Sequence, residues 1–258
     1  MNKQHLDNLE KKGYTILDNC IDKTWLDQIK ESLPPLFDLH KSIRIKNNNG
    51  ITSNEVAMNI LASDNLFIDF LQHLIDINLI PEIEKNYFQT KCILNSFSAI
   101  SNIPTESNVF YKKMHRDIRG YTGNIPILLN MLVMVDDFTV ENGGTLLLPS
   151  SHLIENEPTK QYWETNAIHA TGKAGDIVIW NSNVYHASGT NKTNKNRRGL
   201  PITLSLPYYK QLLDYPVALG YDRINDFNPD MQKLLGYHSR VPTSISEWYS
   251  PTDERLYK

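Results

Sequence analysis

Residues 175–189 read Gly175-Asp176-Ile177-Val178-Ile179-Trp180-Asn181-Ser182-Asn183-Val184-Tyr185-His186-Ala187-Ser188-Gly189. Asp176 to Trp180 is a short, β-branched apolar run behind a glycine turn, and that composition predicts a strand. The run delivers His186 to a second turn at Ser188-Gly189. Residues 92–100, 127–135, 145–148 and 200–208 have the same short, Ile/Leu/Val-rich character. Turn residues separate these runs, notably Asn102 to Pro104, Glu141-Asn142-Gly143-Gly144, Lys173-Ala174-Gly175-Asp176 and Ser188-Gly189-Thr190-Asn191. Many short strands with glycine-bearing turns predict a sandwich or barrel. The first ninety residues read mostly helical. A short strand at 13–17 precedes an amphipathic helix from Asp22, which the rule against interior proline ends by Pro34-Pro35. Phe67, Phe70, Leu71, Leu74 and Ile77 then form one helical stripe within residues 66–79. A last helix is expected around 231–235. The expected organisation is a single domain over 1–258: a mostly helical part (1–90), a β-core (91–210), and a C-terminal helix and tail (211–258).

Composition narrows the class. The chain has 258 residues with 26 Lys plus Arg against 29 Asp plus Glu, a net charge of −3. A balance so near neutrality gives no general attraction to nucleic acid or to an anionic membrane, so neither is expected as a partner. The 40% apolar and 21% charged content is that of an ordinary globular chain. Two cysteines, Cys20 and Cys92, exclude a disulfide framework and a cysteine-rich zinc module. No apolar run reaches the ~18 residues of a membrane span. The N-terminal residues lack an apolar signal segment, so the expected location is cytoplasmic.

Two His-x-Asp triplets occur, His5-Leu6-Asp7 and His115-Arg116-Asp117. The first sits in a segment that reads as helix, where residues two apart point about 200° apart and cannot share an ion. The second enters the β-rich half, where i and i+2 project to one face, so an imidazole and a carboxylate can take adjacent positions on one cation. A third ligand must come from a distant strand, and His152, His169 and His186 are available. His186 ends a predicted strand. His152 follows Pro149-Ser150-Ser151 and reads as a structural residue that turns the chain and bonds backbone groups. His169 lies on a short edge-like segment. Two histidines and a carboxylate on one face, with three positions open, is the facial arrangement of non-heme Fe(II) oxygenases. Arg197 and Arg198 open the next strand, and an arginine fork suits a carboxylate. Adjacent strand residues face opposite ways, so Arg197 points inward and Arg198 to solvent; a one-residue slip exchanges them.

The motifs, taken together, resemble one family. Met114-His115-Arg116-Asp117, the run from Leu129 to Thr139, the block from Glu141 through Gly143-Gly144-Thr145 to Pro149-Ser150-Ser151-His152, the stretch Gly175 to Arg198, and Leu235-Gly236-Tyr237 are similar, in order, to the phytanoyl-CoA dioxygenase family. The resemblance covers about residues 90–237, and 13–33 also fits. It implies a double-stranded β-helix (jelly-roll, cupin-like) core with flanking helices that uses Fe(II), 2-oxoglutarate and O2. Residue by residue it implies His115, Asp117 and His186 as iron ligands, and Arg197 as the grip on the distal carboxylate of 2-oxoglutarate. Ser188 falls at a position whose hydroxyl assists, and Thr145 where relatives place a cosubstrate-contacting threonine.

The activity so implied is hydroxylation of an unactivated C–H of a small molecule, with release of succinate and CO2. Desaturation, epimerisation and ring closure use the same ligands. A Zn2+ hydrolase would use the same three ligands too, but leaves Arg197 without a task. In a cupin-like binding module, the metal would only order the core. Asn95, Phe97, Tyr111, Arg119, Tyr121 and Asn130 are candidates for a substrate-facing wall; each is equally explicable as strand packing or a loop residue.

Overall fold

The computed structural model describes residues 1–50, 55–104, 113–253 and 255. In chain order the regular elements are α1 (Lys3–Lys12), β1 (Tyr14–Leu17), α2 (Lys23–Lys46), β2 (Glu55–Ala57), α3 (Asn65–Asp76), α4 (Leu79–Ile83), β3 (Ile93–Phe97), β4 (Ala99–Asn102), β5 (Leu128–Met134) and β6 (Leu146–Leu147). They continue with α5 (Lys160–Asn166), β7 (Ile168–His169), β8 (Ile177–Asn181), β9 (His186–Ala187), β10 (Arg197–Ser205), α6 (Tyr215–Leu219), α7 (Pro229–Leu235) and α8 (Ile245–Trp248).

Seven strands form one antiparallel sheet in the order β1-β8-β5-β10-β4-β2, with β3 also paired to β10, and β7-β6-β9 form a second. Alternation along the strands divides the core between the two faces of the large sheet. Leu129, Met131, Val133, Ile177, Ile179, Leu200, Ile202 and Leu204 face outward onto the helices, against Leu26, Ile29 and Leu33 of α2 and Phe67, Phe70, Leu71 and Leu74 of α3. Leu132, Met134, Val178 and Trp180 face inward and meet Phe138, Leu147, Ala170 and Val184 around the small sheet. Two antiparallel sheets packed face to face, with helices on the outside of one, make the expected jelly roll.

Most strand expectations survive with ends moved by a residue or so, but 92–100 divides into β3 and β4, and the run at 200–208 becomes β10, which starts at Arg197 and stops at Ser205. Two helical expectations do not. Helix α2 runs through Pro34 and Pro35. Both prolines lie on its exposed face, where water can satisfy the carbonyls they leave free, while Leu33, Leu36 and Phe37 stay buried beside them. Packing against the sheet thus outweighs the local penalty. Ile77, placed by periodicity on the α3 stripe, lies just beyond the helix and is 41% exposed.

The N-terminal helix is tied to the core at its C-terminal end. Its last free carbonyls are taken by one loop: the Ser150 amide donates to Lys12 (2.8 Å), the Ser150 hydroxyl to Lys11 (2.9 Å), and His152 Nε2 to Glu10 (3.0 Å). Gly13 closes the helix at φ 80°, and a Cβ there would lie 2.4 Å from His152 Nδ1. His152 therefore has the structural role its sequence context implied.

Candidate metal centre

His186 is carried by β9, which pairs with β6. Its other edge bonds to the segment around residue 115: the His115 amide donates to the His186 carbonyl (3.0 Å) and the His186 amide to the His115 carbonyl (2.9 Å). This bridge sets the two imidazoles 4.3 Å apart between ring centroids. Asp117, two residues on, reaches both: its Oδ1 lies 3.5 Å from His115 Nε2 and its Oδ2 3.4 Å from His186 Nε2. One ligand atom from each residue falls within 4.8 Å of the others, the grouping a single cation needs. His152 and His169 belong to no such cluster among the described residues.

Both rings present the same nitrogen. His115 Nδ1 is 2.8 Å from the Lys113 carbonyl, and His186 Nδ1 is 3.1 Å from the Val184 carbonyl. A carbonyl can only accept, so each Nδ1 carries the proton and each Nε2 keeps a lone pair for a metal. Burial pushes the His186 pKa down; the Asp117 charge opposes this and His115 adds to it, and the net shift is downward. For His115, burial is overcome by the Asp117 hydrogen bond, the Lys113 carbonyl and the Asp117 charge, so its pKa rises. Burial would raise the Asp117 pKa, yet His186, His115 and the facing Asn130 amide hold it below the usual carboxylate range. Asn130 is oriented for this by Thr203, whose hydroxyl donates to its Oδ1 (3.0 Å).

Arg197 begins β10 on the inward face and is 1% exposed. One Nη2 bond reaches the Gly143 carbonyl (2.9 Å), Ser188 Oγ lies at 3.5 Å, and the guanidinium stacks 4.1 Å over Phe138. Its Nε and Nη1 are buried with no protein partner. Burial lowers its pKa to about 10, against the pull of Asp136, which leaves it charged at neutral pH. A buried fork with two free donors fits an incoming carboxylate. Gly143 must be glycine for this turn: its φ is 74°, and a Cβ would stand 2.5 Å from the Gly189 carbonyl. Arg198 faces the other way, as the alternation requires. It meets Asp136 rather than open solvent, with Nε and Nη2 each 2.8 Å from a carboxylate oxygen.

The remaining sequence candidates scatter. Thr145 is buried just before β6, and its carbonyl accepts from the Ala170 amide. Asn130 joins the centre beside Asp117. Tyr121 packs on Arg116, 5.1 Å from its guanidinium. Phe97 faces the helices instead, 5.7 Å from Phe67 between ring centroids. Asn95 is engaged by the Lys210 carbonyl (2.9 Å), at an irregularity in the β3–β10 pairing. Arg119 is exposed, and Tyr111 lies outside the described residues. Sequence reasoning missed Trp180, 5.2 Å from the His186 ring, and Asn102, whose Nδ2 donates to Gly189 (3.0 Å). Strand parity was the available signal, since it puts Trp180 on the inward face.

A jelly roll with two histidines and an aspartate gathered at its small sheet belongs to the class of metal-centred jelly-roll proteins. Residues 9–199 match the family described as phytanoyl-CoA dioxygenase (PhyH), and the chain belongs to that family. An uncharacterized protein of Mycobacterium tuberculosis is 33% identical over 172 residues, 67% of this chain, which spans about 62% of that relative's length. A dioxygenase of Gibberella moniliformis, FUM3, is 24% identical over 91% of this chain and 82% of its own. Among solved structures, iron-bound EctD from S. alaskensis superposes with a TM-score of 0.66 at 16% identity, covering 82% of this chain and 80% of EctD. The epimerase SnoN, in complex with Fe3+ and alpha ketoglutarate, gives 0.61 at 12% identity, covering 81% and 85%. Both share the fold.

Proposed function

We propose that this chain is an Fe(II)- and 2-oxoglutarate-dependent dioxygenase that hydroxylates an unactivated C–H of a small molecule. The observation that carries this reading is the pairing of a His115/Asp117/His186 cluster with the buried, half-satisfied Arg197. A hydrolytic metal site uses the first and has no need of the second.

His115 and His186 would hold iron through Nε2 and Asp117 through a carboxylate oxygen, leaving the opposite face of the ion open. Arg197 would clamp the distal carboxylate of 2-oxoglutarate with its free Nε and Nη1, with Ser188 beside it, and Thr145 would line the same pocket from β6. Iron bound there, with 2-oxoglutarate and O2, would supply the oxidising power, with succinate and CO2 as the coproducts. The protein's own contribution is positional. The backbone bridge between residues 115 and 186 fixes the ligand spacing, the carbonyls of Lys113 and Val184 fix the tautomers, and Thr203 turns the Asn130 amide toward the carboxylate. Asp117 would take a coordination position that a ligand set of two histidines would leave to another anion, which favours hydroxylation.

The test is anaerobic addition of Fe(II) and then 2-oxoglutarate, read as a weak visible charge-transfer band. The expected band disappears in His186→Ala. Stoichiometric iron with no band in the wild type would point to a hydrolase or a non-catalytic metal module.

A further inference from the structure

The two ligands His115 and Asp117 come from a stretch with almost no regular structure: between Lys113 and Ile127 the backbone makes one isolated bridge, at His115. The side chain between them supplies what the backbone lacks. Arg116 Nε donates to the Asn183 carbonyl (2.7 Å), Nη1 to the Glu155 carbonyl (2.9 Å), and Nη2 to the carbonyls of Ser151 (3.0 Å) and Ile154. Its guanidinium also lies 4.2 Å from the Tyr185 ring centroid and 5.1 Å from that of Tyr121. Among the described residues no acid forms an ion pair with it. Its partners are backbone carbonyls from two separate segments, and one of them, Asn183, sits three residues before His186 on the same turn.

Those segments are themselves anchored. Ser151 accepts the Tyr185 amide on its hydroxyl (2.9 Å), and Asn183 Nδ2 donates to Thr122 Oγ1 (2.8 Å). Arg116 is therefore the junction where the strand carrying one ligand meets the loop carrying the other two. A planar group with five donors in fixed directions suits that task, whereas an ammonium on a flexible stem cannot reach four carbonyls spread over two segments.

We propose that Arg116 is a positioning residue for the metal centre: it presets the spacing of His115 and Asp117 relative to His186 before the ion arrives. This rests on the metal-binding reading above. Partners behind a ligand set commonly govern affinity by about 10- to 100-fold, and a loss in that range is expected for Arg116→Lys.

The experiment uses the full chain and Co(II) as the probe, with affinity read by titration and geometry by the visible d–d bands. The melting temperature of the metal-free protein is measured alongside. The proposal predicts that Arg116→Lys folds, binds Co(II) about 10- to 100-fold more weakly and shows altered band positions, and that Arg116→Ala is partly rescued by millimolar ethylguanidinium. Unchanged Co(II) affinity and bands in a variant that merely melts earlier would overturn it, leaving Arg116 a stability residue. Should Arg116→Lys fail to fold, Arg116→Gln keeps a planar, neutral donor group there but can make at most two of the four bonds. It must weaken Co(II) binding in the same direction, and unaltered binding overturns the proposal. Wild-type protein that binds no Co(II) removes the metal-centre reading itself, whereas equal binding by wild type and variants removes only the role of Arg116.

Discussion

Replacing Arg197 by Met separates the two jobs a buried guanidinium can have. If its free Nε and Nη1 receive a carboxylate, Arg197→Met deletes two charge-assisted hydrogen bonds of about 1.5–3 kcal/mol each. The sum, about 3–6 kcal/mol, weakens 2-oxoglutarate roughly two to four orders of magnitude at 1.4 kcal/mol per decade. In buffer alone the account is different. The variant loses the Gly143 bond, about 1.5–3 kcal/mol, and the stacking on Phe138, about 0.5–2 kcal/mol. It also escapes the cost of burying a charge, several kcal/mol, and methionine fills similar space. The melting temperature without ligand should therefore stay within a few degrees of wild type. The assay is thermal melting with Mn(II), with and without 2-oxoglutarate at about a hundred times the wild-type Kd. Wild type gains about 2.7 kcal/mol, or roughly 5–10 °C for a chain of this size. The variant, at or below its own Kd, gains about 0.4 kcal/mol or less, roughly 1 °C. A variant that keeps the whole ligand-induced shift would refute the assignment of Arg197 to the cosubstrate.

Other expectations follow from the packing and the titrating groups. Leu33 is fully buried between α2 and the large sheet, so Leu33→Ala should lower unfolding free energy by about 2–5 kcal/mol; a loss under 1 kcal/mol in urea titration would contradict that placement. The Asp136 pKa is lowered: burial would raise it, but the Arg198 hydrogen bonds and charge and Lys30 outweigh that. Its contribution is therefore present above the ordinary carboxylate pKa near 4 and is lost as pH falls through the depressed folded value. Urea stability should drop more between pH 5 and pH 2 in wild type than in Asp136→Asn, and parallel curves would count against the ion pair. Burial, with Asp176 and Asp18 nearby, raises the Cys20 pKa to about 11, so at pH 8 roughly one molecule in a thousand carries the thiolate. Cys92 is shifted upward too, mainly by burial. Neither thiol should react with a disulfide reagent in the native protein at the rate of a free cysteine; fast reaction of either would argue against the packing around it.

The sequence made the strands legible because their signal is local. Val178 and Trp180 alternate with Ile177 and Ile179 to opposite faces, and turns of glycine and asparagine mark the ends. His115 and Asp117 were legible because two-residue spacing on extended backbone carries direct geometric meaning, whereas the choice of His186 over His152 and His169 leaned on the family resemblance as well as on its place at the end of a strand. What escaped depends on which distant surface covers an element. Pro34 and Pro35 would stop an isolated helix, but α2 lies on a sheet that rewards Leu33, Leu36 and Phe37 on its buried side. Phe97 could not be assigned a face without knowing that the register shift in β3 leaves it against Phe67 and Phe70 of α3. The role of Arg116 needs residues 151–155 and 183 brought to it, and no short-range pattern announces that.

The first strand has a consequence for how the protein is made. Tyr14 to Leu17 pair with Ile177 to Trp180, so β1 has no partner until more than two-thirds of the chain has left the ribosome. During that interval a short apolar strand and the amphipathic α1 are exposed together, with the loop that caps α1 also still to come. Contacts so distant in sequence make folding slow and leave unpaired strand edges open to other chains. Yield in a heterologous host should thus depend on translation rate and temperature more than on the thermodynamic stability of the finished fold.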